Sequence, residues 1–97
     1  GNKKYLRADH AHKKCNQILI PVEGKTEVII TNLKNKNKKF LLNFKNNNYL
    51  FVPKFHWIKL KFLEKKSILL TLCDYKYDKR EYIQSKSKFL RYEMSNR

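Results

Sequence analysis

The stretch that decides the fold of this chain is Arg7-Ala8-Asp9-His10-Ala11-His12, which is followed by Gln17 and Gly24. Side chains alternate between the two faces of a β-strand, so His10 and His12 are predicted to lie on one face. Two imidazoles in this arrangement can exchange protons near neutral pH or bind a metal ion. The chain contains three histidines, and two of them are in this stretch.

Length and composition indicate one small domain over residues 1–97. Hydrophobic residues make up 41% of the 97 residues and aromatic residues 13%, which suffices for a packed β core. No apolar run approaches the roughly 20 residues that span a bilayer. No secretory pattern precedes the body, and Cys15 and Cys73 are too few and too distant for a disulfide framework. We therefore expect reduced thiols and a cytoplasmic protein that does not bind a membrane.

The formal net charge of +15 has two explanations. A basic surface can bind nucleic acid through phosphate contacts, but the lysines are mixed with asparagines along the chain, as over residues 32–39. Arginine, which reads phosphates and bases better, occurs at only four positions: Arg7, Arg80, Arg91 and Arg97. We interpret the lysines as a solvated surface that attracts an anionic small ligand such as a sugar nucleotide, and we expect no nucleic-acid partner.

The body of the chain is predicted to form short strands separated by turns. Alternating or apolar segments of strand length recur every eight to twelve residues, which is typical of a small all-β barrel or sandwich. The tail from Asp78 to Met94, which includes Tyr82 and Ile83, fits one or two helical turns. The predicted strands cover residues 15–23, 26–33, 39–44, 49–52, 57–62 and 67–73.

His10-x-His12 with Gln17 and Gly24 resembles the first sequence motif of the cupin fold, with Gln in place of the usual Glu. Pro53 fits the frame of the second cupin motif. Phe55 stands at its expected glycine, and Ile58 at its third metal-binding histidine. An amide and an alkyl group cannot complete a four-ligand metal site. The resemblance therefore implies a cupin frame without its metal.

One cupin branch is more similar, the WxcM-like 3,4-ketoisomerases of dTDP-4-keto-6-deoxyglucose. Their motifs appear here in order as Arg7 to Lys13, Gln17, Tyr49 to Pro53, Trp57 and a tyrosine-rich tail from Asp74 to Ile83. The chain departs from the family at Ala8-Asp9, where the family usually has a glycine. The ordered set of motifs covers nearly the whole chain and is fairly specific.

This resemblance implies a cupin-type β-barrel (jelly roll) with a short helical tail. It also implies a cofactor-free and metal-free isomerisation through an enediol, which supplies 3-amino deoxysugars for surface glycans such as the lipopolysaccharide O-antigen. Relatives normally carry an N-terminal strand before the histidine pair that is often exchanged within a homodimer. Most of that strand is missing from this sequence.

The resemblance places the proton-shuttling base at the second histidine, His12, with His10 as its hydrogen-bonding partner. Arg7 is a candidate for binding a substrate oxygen. On a regular strand it would face away from His10, so this role needs a bend at Ala8-Asp9. A surface or interface ion pair is the alternative for Arg7.

Three further residues are candidates for substrate binding. Gln17 needs a bulge to reach the face of the histidines, and otherwise it is a polar residue at a strand edge. Tyr49 and Trp57 could line the pocket or stack on a thymine ring. An aromatic side chain in a small β protein is more often part of the core.

Two alternatives to the ketoisomerase stay open. One is a 3,5-epimerase of the same dTDP-4-keto-6-deoxyglucose, which is also a cupin. The other is non-catalytic: a basic β-barrel that binds nucleic acid with strong salt dependence, or a cupin that binds the sugar nucleotide without turnover.

Overall fold

The computed structural model describes residues 6–95 of the chain, and it describes side chains from Ala8 to Tyr92. Over this range the chain forms eight strands and one α-helix. The strands are β1 (Leu6–His12), β2 (Gln17–Glu23), β3 (Lys25–Thr31), β4 (Asn37–Asn43), β5 (Leu50–Val52), β6 (Trp57–Phe62), β7 (Ile68–Cys73) and β8 (Tyr82–Ile83), and the helix is α1 (Lys86–Ser95).

The strands form two antiparallel sheets, with strand orders β4-β3-β6-β1-β8 and β5-β2-β7. An all-β fold with a short helical tail is thus confirmed. The two sheets do not close into a continuous barrel; they remain separate layers of a sandwich. Apolar side chains fill the space between them, and full burial of each stabilises the fold by about 1.5–3 kcal/mol. This inner cluster comprises Leu19, Val28, Leu42, Val52, Ile58 and Leu60.

A second apolar cluster lies on the other side of the five-stranded sheet. Phe89 of α1 is fully buried there against Ala11, Trp57 and Ile83. Alternation along β1 and β6 explains this arrangement, since the residues next to Ala11 and Trp57 face the inner cluster. The helix is therefore held on the outside of the sheet by one side chain of each contributing strand.

The tail differs from the helix predicted to start near Asp78. Residues 79–81 form a single 3-10 turn, and the carboxylate of Asp78 accepts a hydrogen bond from the backbone N–H of Arg80. Tyr82 and Ile83 then form β8, which pairs with His12 and Ala11 of β1. Backbone pairing with β1 overrides the helical spacing of the apolar residues, so α1 begins only at Lys86.

The turns use left-handed backbone at several positions. Gly24, with a φ of 75°, lies between β2 and β3, and Asn35 and Asn47 have φ of 62° and 52°. Glycine and asparagine tolerate this conformation. Phe55 has a φ of 59°, and its N–H donates a 2.7 Å hydrogen bond to the carbonyl of His12. The expected glycine position of the second cupin motif thus keeps a glycine-like backbone while carrying a large side chain.

Strand β7 is more exposed than its apolar sequence predicts. It pairs with β2 alone, so its other edge is free within the part of the chain described. Cys73, at the end of this apolar run, is also exposed. An outward-facing group of apolar side chains, which we call the outer patch, crosses this sheet. The outer patch comprises Ile18, Ile20, Phe51, Leu70 and Leu72, the last three between 46% and 53% exposed.

Within residues 6–95, none of the helical structure is long and apolar enough to cross a membrane.

Candidate active site

The site begins at an irregularity in β1. Arg7 pairs with Leu60 of β6 and His10 pairs with Ile58, so β1 carries one residue more than β6 between these two pairs. Ala8, at the centre of this bulge, has a φ of 68°. The bend predicted at Ala8-Asp9 is therefore present. The extra residue compensates for the odd spacing between Arg7 and His10 in the pairing of β1 with β6. The side chain of Arg7 lies outside the described residues.

Beyond the bulge, β1 brings the two imidazoles together. Nε2 of His10 lies 3.1 Å from Nε2 of His12, and the ring centroids are 4.8 Å apart in an edge-on arrangement. His12 is only 5% exposed, whereas His10 is partly buried. Both rings lie on the inner side of the sheet, because His10 is paired with the core residue Ile58. The shared face predicted for the two histidines is thus observed.

A carboxylate that we did not predict completes the group. Oε2 of Glu81 is hydrogen-bonded to Nδ1 of His12, and Oε1 accepts hydrogen bonds from the backbone N–H groups of Lys14 (3.0 Å) and Cys15 (3.3 Å). Glu81 is 4% exposed. Glu81, His12 and His10 therefore form one hydrogen-bonded series, which we call the carboxylate–imidazole chain.

The electrostatics favour an ionised carboxylate beside an uncharged His10. Burial alone would raise the pKa of Glu81, but hydrogen bonds from His12 and from the backbone of Lys14 and Cys15 bring that pKa below its ordinary value. Burial, together with the nearby His12, lowers the pKa of His10. At neutral pH, Glu81 can thus balance a positive charge on its imidazole neighbour, while His10 resists taking a charge of its own.

Two tyrosines extend the site on the inner side. The ring of Tyr82 lies 4.4 Å from that of His12 and 5.0 Å from that of His10, between centroids. Burial and the charge of Glu81 raise the pKa of the Tyr82 phenol, so it stays protonated and able to donate a hydrogen bond. Tyr77 contacts Tyr82 at 5.8 Å between ring centroids and is 78% exposed. An aromatic surface therefore leads from solvent to the imidazoles.

The sequence of this chain matches the WxcM-like, C-terminal family over residues 2–94. The chain belongs to this family. No curated protein matches it closely enough to add a functional description.

Solved structures of similar fold include three 3,4-ketoisomerases. The TDP-fucose-3,4-ketoisomerase WlaRA of Campylobacter jejuni is 32% identical over 89% of this chain, with a TM-score of 0.82. The 3,4-ketoisomerase of Helicobacter canadensis is 32% identical over the whole chain, with a TM-score of 0.83. The TDP-quinovose 3,4-ketoisomerase WlaRB of Campylobacter jejuni is 30% identical over 94% of it, with a TM-score of 0.81.

This WxcM-like chain spans only part of those proteins, namely 62%, 70% and 68% of their respective lengths. A dTDP-4-dehydrorhamnose 3,5-epimerase of Bacillus anthracis is more distant, at 19% identity over 79% of this chain and 49% of its own, with a TM-score of 0.74. That similarity shows a shared fold alone. The comparison therefore favours the ketoisomerase over the epimerase alternative.

Gln17 lies in the opposite sheet from the imidazoles. It pairs with Val52 and Cys73, and its Nε2 donates a 3.6 Å hydrogen bond to Sγ of Cys73. Leu19, two residues further along β2, is in the inner cluster, so Gln17 is on the inner side too. Ile58 is 2% exposed in that cluster. Among the side chains that the structure describes, from Ala8 to Tyr92, no group of three or more His, Cys, Asp or Glu could hold a metal ion.

The structure does not bring Trp57 or Tyr49 to the imidazoles. Trp57 directly precedes Ile58, so strand alternation turns it to the outer side of the sheet, where its ring packs 5.9 Å from Phe89. Its Nε1 donates a 2.8 Å hydrogen bond to Oδ1 of Asp9. Tyr49 is 69% exposed just before β5. Trp57 is thus a core residue of this family member, as aromatic residues in small β proteins commonly are.

Glu81 was missed because its partner lies 69 positions away in the sequence. A usable signal was present, since Glu81 immediately precedes the Tyr82-Ile83 pair of the family pattern. Recognising Tyr82-Ile83 as a strand beside β1 would have placed Glu81 next to His12.

Proposed function

We propose that this chain is the catalytic domain of a sugar-nucleotide isomerase that converts dTDP-4-keto-6-deoxyglucose into its 3-keto isomer. The observation that carries the proposal is the contact between the two imidazoles, 3.1 Å apart on the inner side of the sheet. Membership in the WxcM-like family and the similarity to 3,4-ketoisomerases at 30–32% identity support it.

The reaction moves a carbonyl from C4 to C3 and needs no net oxidant. His12 removes the C3 proton; the C3–H electron pair forms a C3=C4 double bond, and the C4 carbonyl oxygen becomes an enolate. The O3 proton passes to O4, and His12 returns its proton to C4 while O3 becomes the new carbonyl. A single base can perform both transfers when they occur on one face of the sugar.

His10 and the phenol of Tyr82 lie beside His12 and can hydrogen-bond to O3 and O4 as charge develops there. Arg7 and Gln17 are proposed to bind the substrate: β1 brings the Arg7 backbone into register with His10, and Gln17 is on the inner side of the opposite sheet. The proposed mechanism uses no cofactor, because both proton transfers are performed by side chains.

The first experiment measures turnover. The purified protein is incubated with dTDP-4-keto-6-deoxyglucose and a 3-aminotransferase, and the expected product is a 3-amino sugar nucleotide. His12→Asn is expected to lower the rate at least 100-fold, the scale of a lost general base. His56→Asn is the matched control, since the His56 ring faces the carbonyls of Pro53 and Lys54 and takes no part in the site.

Isotope exchange separates this function from the epimerase alternative. In D₂O the ketoisomerase incorporates deuterium at C4 of the 3-keto product and at C3 of recovered substrate, whereas a 3,5-epimerase incorporates it at C3 and C5, so C5 is the diagnostic position. Absence of any product over the enzyme-free reaction, or deuterium at C5, would overturn the proposal.

We also propose that the protein acts as a homodimer in the cytoplasm, where its product would feed a 3-amination step for surface glycans. Both cysteines are free thiols, as a reducing compartment requires. The outer patch and the free edge of β7 support a second copy as the partner. Residues 68–73 carry no charge in a chain of net charge +15, so this is a surface on which two identical chains can meet without strong repulsion.

A further inference from the structure

The carboxylate–imidazole chain contains one member without a role in the reaction described so far. We infer that Glu81 is a positioning residue that fixes the tautomer of His12 and stabilises the protonated imidazole that follows removal of the C3 proton. This inference rests on the proposed ketoisomerase function and adds a residue to it.

The tautomer follows from the two oxygens of Glu81. Oε1 accepts from two backbone N–H groups, and Oε2 lies against Nδ1 of His12. An ionised carboxylate can only accept hydrogen bonds, so Nδ1 of His12 must carry a hydrogen. The lone pair of neutral His12 is therefore on Nε2, the atom that points toward His10. Glu81 thus selects which nitrogen acts as the base.

The proton that His12 takes up must therefore bind its Nε2. Nδ1 already carries the hydrogen that is donated to Glu81, so Nε2 is the basic nitrogen of the neutral ring. Nε2 of His12 lies 3.1 Å from Nε2 of His10, so the added proton can be shared with the second ring.

Both ring nitrogens of His12 are therefore hydrogen-bonded once it has taken up this proton. The positive charge of that state faces the ionised, buried Glu81. Interactions that are stronger after proton transfer than before it lower the barrier of the chemical step. Glu81 would act in this way through His12, without touching the sugar.

Other titratable groups surround the pair and must be distinguished from Glu81. Asp9 on β1 raises the pKa of His10, Tyr82 on β8 contacts both rings, and Tyr77 contacts Tyr82. Among these described groups, Glu81 alone is hydrogen-bonded to an imidazole nitrogen of His12. A change at Glu81 should therefore alter the tautomer of His12, whereas a change of charge elsewhere should not.

The test compares Glu81→Gln and Glu81→Asp with the wild type, and Glu27→Gln on β3 serves as a matched control remote from the imidazoles. In Glu81→Gln the side-chain carbonyl can still accept from the Lys14 and Cys15 N–H groups, which leaves the amide NH₂ facing Nδ1. We expect kcat to fall about 100-fold or more with KM within about threefold, as for a lost proton-transfer arrangement. Glu81→Asp should recover a tenth or more of wild-type kcat.

Two readouts separate positioning from mere stability. The charge of Glu81 raises the pKa of His10, so its loss should lower that pKa and move the acid limb of kcat/KM to lower pH in Glu81→Gln. In ¹⁵N NMR spectra of the neutral wild-type protein, His12 should show a protonated Nδ1 and an unprotonated Nε2. The wild-type spectrum keeps the inference testable even if the variant fails to fold.

The inference is overturned if wild-type His12 carries its hydrogen on Nε2, or if Glu81→Gln keeps wild-type kcat and pH profile. A different result overturns the proposed function, namely a wild-type protein that produces no 3-keto sugar.

Discussion

Gly24 shows how a single residue holds the connection between β2 and β3. Its φ of 75° is left-handed, and a Cβ added to it would lie 2.9 Å from Cα of Ser67 and 3.0 Å from the carbonyl oxygen of Lys66. These are backbone atoms, which cannot move aside as a flexible side chain can. The position needs glycine for its conformation and for its space.

Gly24→Ala is therefore expected to destabilise the fold by roughly 2 kcal/mol, from left-handed strain and the backbone clash together. For a domain of this size that lowers Tm by about 10 °C, which thermal unfolding followed by circular dichroism would measure. Asn46→Ala, at an exposed position of the 3-10 turn after β4, is the control and should change Tm little. Equal Tm values for the two variants would contradict this explanation.

The residues of the site differ in how far the sequence predicts them. Spacing alone put His10 and His12 on one face, and the bend that Arg7 needs was inferred from an odd spacing. The positions of Trp57 and Glu81 depend on which strand lies beside which, and that is set by pairing between segments far apart in the sequence. Local patterns carry no information on such pairing, so they left Trp57 open between the pocket and the core, and they did not reveal the carboxylate.

Among the elements, β1 and the C-terminal tail are joined by the contact between His12 and Glu81 as well as by β8. This junction is sensitive to pH. The pKa of His10 is lowered in the fold. Below the ordinary value of 6.5, the unfolded chain therefore binds more protons at His10 than the folded chain does. The pKa of Glu81 is also lowered, so its contribution is complete above 4.5 and is lost as pH falls through its value in the fold.

We therefore expect the free energy of unfolding to decrease from about pH 6.5 downward and to decrease further below about pH 4.5. Urea denaturation at a series of pH values measures this dependence. In Glu81→Gln the protein should be less stable at neutral pH, and the second decrease should be smaller. An identical pH dependence in wild type and Glu81→Gln would show that this contact does not contribute.

Strand prediction succeeded where an element has enough residues to show a period. The six predicted strands correspond to β2 through β7, with ends that differ by a few residues. Strand β8 has two residues, Tyr82 and Ile83, and so cannot display alternation. The apolar run of β7 predicted a buried strand, but its environment depends on what covers the sheet edge, which the run itself does not specify.

At the scale of the whole molecule, the exposed side of the three-stranded sheet is the feature that a single copy leaves unexplained. Leu70 and Leu72 project from a strand whose outer edge is unpaired within residues 6–95, and such edges pair readily with other strands. Two copies related by a twofold axis would each cover the same surface of the other. This arrangement is consistent with the proposed homodimer.

The double variant Leu70→Lys/Leu72→Lys is expected to shift the protein from dimer to monomer, because it adds two like charges per copy to an uncharged contact. Light scattering coupled to size-exclusion chromatography measures the mass. Leu41→Lys is the control, since Leu41 is 48% exposed on β4 of the other sheet. A wild-type monomer would contradict the proposed dimer. A double variant that stays dimeric would show that the interface lies elsewhere.

The separation of 69 positions between His12 and Glu81 sets an order of events during synthesis. The imidazole is synthesised 69 positions before the carboxylate, so the ribosome completes β1 well before the group that is hydrogen-bonded to His12. The carboxylate–imidazole chain can consequently form only after residue 81 has been translated. Chains that stop before residue 81 would carry both histidines and still lack the carboxylate that contacts His12.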